Sequence, residues 1–261
     1  MALNKNELIL DKVRSVSVKD LTDNRIMYRL TQVEEPTLNC TAESEEVVDA
    51  VGAVITTLYR AKRATFGGSN SLINFDLAAA QYGSEKEVAD TNAKIVDSTY
   101  EILTIGGTMK LAHAPVADSV KYVYVIENNQ IGQAYAVGAT ASETEAVVAA
   151  DGTVTPPTGV TSGNLYVEYE YETENAFKVV NNASEFPEAC SLVVYAYFKD
   201  VCNENVIYSG KIIVPKAKLN PESIELSLTS TGKHPFEFTI MKDYCANEGQ
   251  DELFEIIVSE W

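Results

Sequence analysis

The 261-residue chain carries 38 acidic against 20 basic residues, a formal net charge of −18, and 46% of its residues are apolar. A chain of that length and composition buries a core, in one large or two modest domains, and disorder is not its default state. Such acidity repels nucleic acid and anionic membrane, which argues against a DNA-binding protein but not against one that stays near DNA without adhering to it.

The opening stretch MALNKNELILDKV has no apolar run of signal-peptide length. No window approaches the roughly 20 apolar residues of a membrane helix. We therefore expect synthesis and folding in a cytoplasm. Cys40, Cys190, Cys202 and Cys245 form no C-x-x-C, and all four are expected to be reduced.

Short alternating runs of Val, Ile, Thr, Phe and Tyr, punctuated by turn residues, predict a mainly β chain. The first predicted strand is 24–33, NRIMYRLTQV. Residues 43–49 contribute Glu43, Glu45, Glu46 and Asp49 and read as an acidic loop. A long strand follows over 53–66, ended by GGSN at 67–70. It carries a basic patch of Arg60, Lys62 and Arg63. Residues 71–77 alternate again as a strand, and DLAAAQYG at 76–83 has the acidic start, alanines and glycine stop of a short helix. Strands are predicted at 99–105 and 109–112, a hairpin over 119–138, a Gly/Pro/Thr-rich loop over 139–164 and a strand over 164–173. We read about 113–173 as a small all-β insertion into a main domain formed by 1–112 and 174–261.

The main domain resumes with strands at 190–200 and 205–219. Pro215 lacks a donor, so its end of the second strand is expected at a sheet edge or beyond. Next comes IELSLTSTGKHPFEFTIMKDYC, 224–245, which reads as a hairpin. On its arms Ile224, Leu226, Leu228, Phe236, Phe238 and Ile240 alternate with Glu225, Ser227, Thr229, Glu237 and Thr239. One face is apolar and the other is carboxylate and hydroxyl. A final strand is expected at 251–261.

No nucleophile–base constellation or phosphate loop is evident, and we expect no enzyme, no cofactor and no metal site. His113 and His234 are the only histidines and read as surface or satisfied residues. Glu168, Glu170 and Glu172 are spaced as the solvent face of a strand rather than as a glycosidase pair. The segment DVCNEN, 200–205, lacks the glycine and spacing of a calcium loop.

Four stretches, 43–66, 70–83, 177–200 and 208–245, resemble the tail tube (major tail) proteins of tailed bacteriophages. The resemblance covers roughly half the chain, and the 113–173 insertion lies outside it. It implies two packed antiparallel sheets, as a β-sandwich or partial barrel, with one short flanking helix. It further implies hexameric rings stacked into a tube in the virion tail, contacts with other tail proteins, passage of DNA without specific binding, and no membrane insertion. In that frame Glu225, Ser227, Thr229, Glu237 and Thr239 are expected to line the channel. Glu43, Glu45, Glu46 and Asp49 are expected to order on ring stacking, against Arg60, Lys62 and Arg63 of a neighbouring copy. The alternative is a β-sandwich surface module, such as a fibre, adhesin or capsid-decorating protein.

Overall fold

The computed structural model describes residues 7–203, 205–221, 226, 229, 232–244 and 252–260. The chain is mainly β and divides into two compact units. The first comprises 1–86 and 179–261, the second 87–178. No described helix is long and apolar enough to cross a membrane.

In the first unit, β1 (Leu8–Asp20), β2 (Ile26–Leu30), β3 (Val33–Val48) and β4 (Val54–Asn70) precede the helix α1 (Phe75–Tyr82). The second unit holds β5 (Glu87–Val88), β6 (Ile95–Thr104), β7 (Tyr122–Glu127), β8 (Gln130–Val137), β9 (Glu145–Val148), β10 (Val154–Thr155), β11 (Asn164–Thr173) and β12 (Phe177–Lys178). The chain then returns to the first unit for β13 (Ala189–Asp200), β14 (Ile207–Leu219), β15 (His234–Ile240) and β16 (Glu255–Glu260).

One eight-stranded sheet builds the first unit, in the order β2-β1-β13-β14-β15-β4-β3, with β16 also on β14. Its pairs are antiparallel. The sheet curls far enough for β1 and β3 to touch although four strands separate them in sheet order. The layers expected of a sandwich are thus provided by a single bent sheet, a partial barrel. Its inner face collects Val16, Leu30, Phe66, Leu192, Val194, Val214, Phe236, Phe238 and Ile240, closed by Leu77 of the helix. Period-two alternation puts these side chains on one face, and burying them supplies the main driving force.

Several predicted elements differ in the structure, including the expected strand at 109–112, of which only an isolated bridge from Lys110 to Thr153 forms. The first strand of the unit is β1, which precedes the expected 24–33 strand. Residues 71–74 are not a strand. Asn74 instead caps α1, its side chain accepting from the Asp76 and Leu77 amides at 3.0 and 2.9 Å. Gly83 ends the helix at φ 73°, the left-handed conformation that favours glycine. The GGSN segment lies inside β4 rather than after it.

Pro215 is not at an edge. β14 pairs with β13 on one side, and the register slips between Cys190 and Leu192, opposite Ala217 and Val214. On its other side β14 pairs with β16 through Ile213 and with β15 only from Ala217. The proline therefore occupies a bulge at the handover between two partner strands, where no ladder amide is required.

The second unit begins and ends on the paired strands β5 and β12, Phe177 opposite Val88 and Lys178 opposite Glu87. A six-stranded sheet follows the order β10-β9-β8-β7-β11-β6. Its core holds Leu103, Leu111, Val120, Val123, Ala146, Val154, Leu165, Val167 and Tyr169. The compact unit starts earlier than the expected insertion, because β6 pairs with β11 from Ile95↔Thr173 to Thr104↔Asn164 and cannot be separated from it.

Candidate assembly surfaces

The hairpin of β3 and β4 runs out from the first unit. Its outer end turns on Asp49, whose Oδ1 accepts from the Val51 and Ala53 amides at 2.9 and 2.8 Å. Gly52 at φ 87° completes the turn. From Asn39 to Val48, and from Val54 to Arg63 apart from Thr57, every side chain is exposed. Both faces of this ribbon are in solvent. One carries Glu43, Arg60, Glu45, Leu58, Val47 and Thr56, the other Ser44, Tyr59, Glu46, Thr57, Val48 and Val54. A two-stranded ribbon without a covering layer is marginal in water, and this one exposes Val51, Ile55 and Tyr59 by 88%, 66% and 74%.

The expected acidic loop is therefore overturned. Glu43, Glu45 and Glu46 are strand residues, and Glu43 and Glu45 already have basic partners in their own chain. Arg63 meets Glu43 at 3.0 Å and Arg60 meets Glu45 at 3.3 Å, both diagonal pairs across the ladder. These pairs are exposed, so each contributes about 0–1 kcal/mol. They neutralise the ribbon more than they fasten it. Lys62 has no ion pair among the described residues. It sits in a bulge where Ala61 adopts φ 48°.

The polar face of β15 is as expected for its described part. Phe236, Phe238 and Ile240 are buried, while Glu237 and Thr239 are exposed between them. The ladders of β15 run to β4 and β14, while most of the expected arm, 224–229, lies outside the described residues. Glu225 and Ser227 lie outside the described residues, and Thr229 is an exposed bend rather than a strand residue. Register places Glu237 opposite Gly67, and Thr239 between Thr65 and Lys218. Asn220 donates to Glu237 Oε1 at 3.2 Å. The face thus mixes carboxylate, hydroxyl, amide and one lysine.

Behind this face sits a buried polar latch. His234 is fully buried on β15, and its Nδ1 accepts from the Asn74 amide at 3.2 Å. Its Nε2 must then carry the proton and donate to Gln81 Oε1, 2.7 Å away. Gln81 Nε2 donates to Pro235 O at 2.9 Å. Burial pulls the imidazole down to about 4. The ring is a neutral strut between helix and sheet.

No group of three or more potential metal ligands occurs among the described residues. Cys40 and Cys202 are exposed thiols and Cys190 a buried one, all free. Glu168, Glu170 and Glu172 point to solvent while Val167 and Tyr169 are buried.

Sequence reasoning missed the polar role of Glu101. It lies on the core side of β6, accepting from Tyr169 Oη at 2.5 Å and from the Ala112 amide at 2.8 Å. The phenol is pushed up to about 12 by burial and then by that carboxylate. The alternation of TYEILTI allowed either parity, because Tyr100 and Ile102 look as core-like as Leu103.

Compared with known families, the sequence matches the YomU/Tube protein family over residues 8–252, a span that runs through both units. Comparison with curated proteins finds no match.

Proposed function

The chain belongs to the YomU/Tube protein family, a phage tail tube-type family, and from that premise we propose that its copies form hexameric rings that stack into a tube through which DNA passes. A structural tube protein resides in the virion tail and works through contact with itself and with other tail proteins. The observation that carries the reading is the β3–β4 ribbon, exposed on both faces with Ile55, Leu58 and Tyr59 in solvent. Such a ribbon gains a covering layer when it lies against a second copy. The long edge strand β3 and the short edge β2 leave backbone groups open for pairing between copies.

The channel reading places Glu237, Thr239 and Thr229 toward the lumen, together with Glu225 and Ser227 from outside the described residues. Exposed carboxylates and hydroxyls, on a chain of net charge −18, repel phosphate and let DNA slide. The five acidic and basic ribbon side chains Glu43, Glu45, Glu46, Arg60 and Arg63, with Lys62 and Asp49, fall in the contact between copies. Electron microscopy of the purified chain tests this. Six-fold rings or tubes support it, and a uniformly monomeric or trimeric protein at high concentration overturns it.

A further inference from the structure

The outward positions of β6, β11 and β7 in the second unit form a face that the tube reading does not use. Register sets Ile102, Tyr166 and Tyr124 in one row across three strands, with Tyr100 opposite Glu168 in the next. Tyr122 follows Tyr124 on the same side of β7. Tyr100, Ile102 and Tyr122 are 60%, 55% and 51% exposed. The rings brace one another. Tyr100 and Tyr166 stack at 5.1 Å and 22°, Tyr124 meets Tyr166 edge-on at 6.2 Å, and Tyr122 meets Tyr124 at 6.4 Å.

The charge of this face is one-sided. Glu168 and Glu170 project from it and have no ion pair among the described residues. Lys94 answers only the far end of the row, 4.0 Å from Glu172. The outward positions of these three strands hold no lysine or arginine. The unit as a whole has thirteen acids against four bases.

We propose that this tyrosine and carboxylate face is a docking surface for a basic protein partner, one that presents arginine and lysine side chains. Braced tyrosines are large amphipathic contacts that lose little freedom on binding, which is why they recur in protein-recognition surfaces. A guanidinium can lie on an exposed ring while forking onto Glu168. Charge complementarity disfavours a second copy as the occupant, because the basic patch of its ribbon has Arg60 and Arg63 already held by Glu45 and Glu43 and leaves only Lys62 without an ion pair among the described residues. It is also a poor sugar platform, because the Tyr100 and Tyr166 ring faces are turned toward each other. The inference stands independently of ring assembly.

The test uses the full chain and two probes, an arginine–glycine peptide and lysozyme as a folded basic protein, with calorimetry at low and physiological salt. Tyr100→Ser/Tyr122→Ser and Glu168→Gln/Glu170→Gln should each weaken binding at least about tenfold. Glu127→Gln/Glu143→Gln, the same charge change elsewhere in the unit, should weaken it about twofold. The tyrosine pair touches only the most exposed rings, and unchanged thermal unfolding verifies the fold. The carboxylate pair gives a second reading if the first variant misfolds. No binding of either probe, or equal loss in all three variants, overturns the proposal. So does a neutral oligosaccharide that binds the chain and is lost with the tyrosines, or self-association abolished by the same change.

Discussion

His234 shows how one buried side chain sets a pH limit. The unfolded imidazole titrates near its ordinary 6.5 and the folded one near 4, because burial disfavours the cation. Between those values the unfolded state binds the extra proton. The stability due to this group is therefore complete above about pH 6.5 and is lost progressively as pH falls toward 4, by about 3 kcal/mol in all. Protonation would also turn Nδ1 into a donor facing the Asn74 amide. Urea unfolding at a series of pH values should show a steeper acid loss in the wild type than in His234→Gln; parallel curves would refute the latch. Gly83 makes a second residue-scale case. A Cβ there falls 2.5 Å from the Phe186 carbonyl group, on backbone already at φ 73°. Gly83→Ala should cost about 1–3 kcal/mol in denaturant melts, far more than an ordinary surface glycine.

At the scale of elements, the β3–β4 ribbon separates stability from assembly. Ile55 and Tyr59 touch little in a single copy, so Ile55→Ser and Tyr59→Ser should change unfolding free energy by no more than about 0.5 kcal/mol. Tube or ring formation should fail in the double variant, as seen by microscopy and sedimentation. Normal tubes from it would remove the ribbon from the contact. The ion pairs on the ribbon are exposed and screened, so salt alone should disturb its fold little.

The whole molecule combines an acidic exterior with two separately cored units. Reversing charge on the proposed lumen face, by Glu225→Lys with Glu237→Lys, should leave assembly intact while slowing DNA delivery, most at low salt, because lysines facing phosphate attract it. Delivery at the normal rate at every salt concentration would take these residues out of the channel. The second unit has its own core and paired ends in β5 and β12. Residues 87–178 expressed alone should fold cooperatively, with a single thermal transition and a β spectrum. A non-cooperative melt would show that the unit depends on the rest of the chain.

By itself the sequence determined the mainly β class, the short glycine-terminated helix, the strands β13 and β14 and the alternation of β15, because these are written in local periodicity and turn chemistry. It also carried the resemblance that the family match bears out. Tertiary structure decided what locality cannot express. Glu43 to Asp49 read as a loop because four acids in seven residues repel one another in isolation; paired with β4, and with Glu43 and Glu45 in ion pairs to Arg63 and Arg60, Glu43 to Val48 are strand. Pro215 read as an edge because a proline cannot donate, yet a bulge at a strand handover excuses that donor inside the sheet. The pairing of β15 with β4, more than 160 residues earlier and with His234 opposite Asn70, was invisible because local alternation carries no information about a distant partner. The tyrosine face was invisible for the same reason. Its rings come from three strands, and only register brings them together.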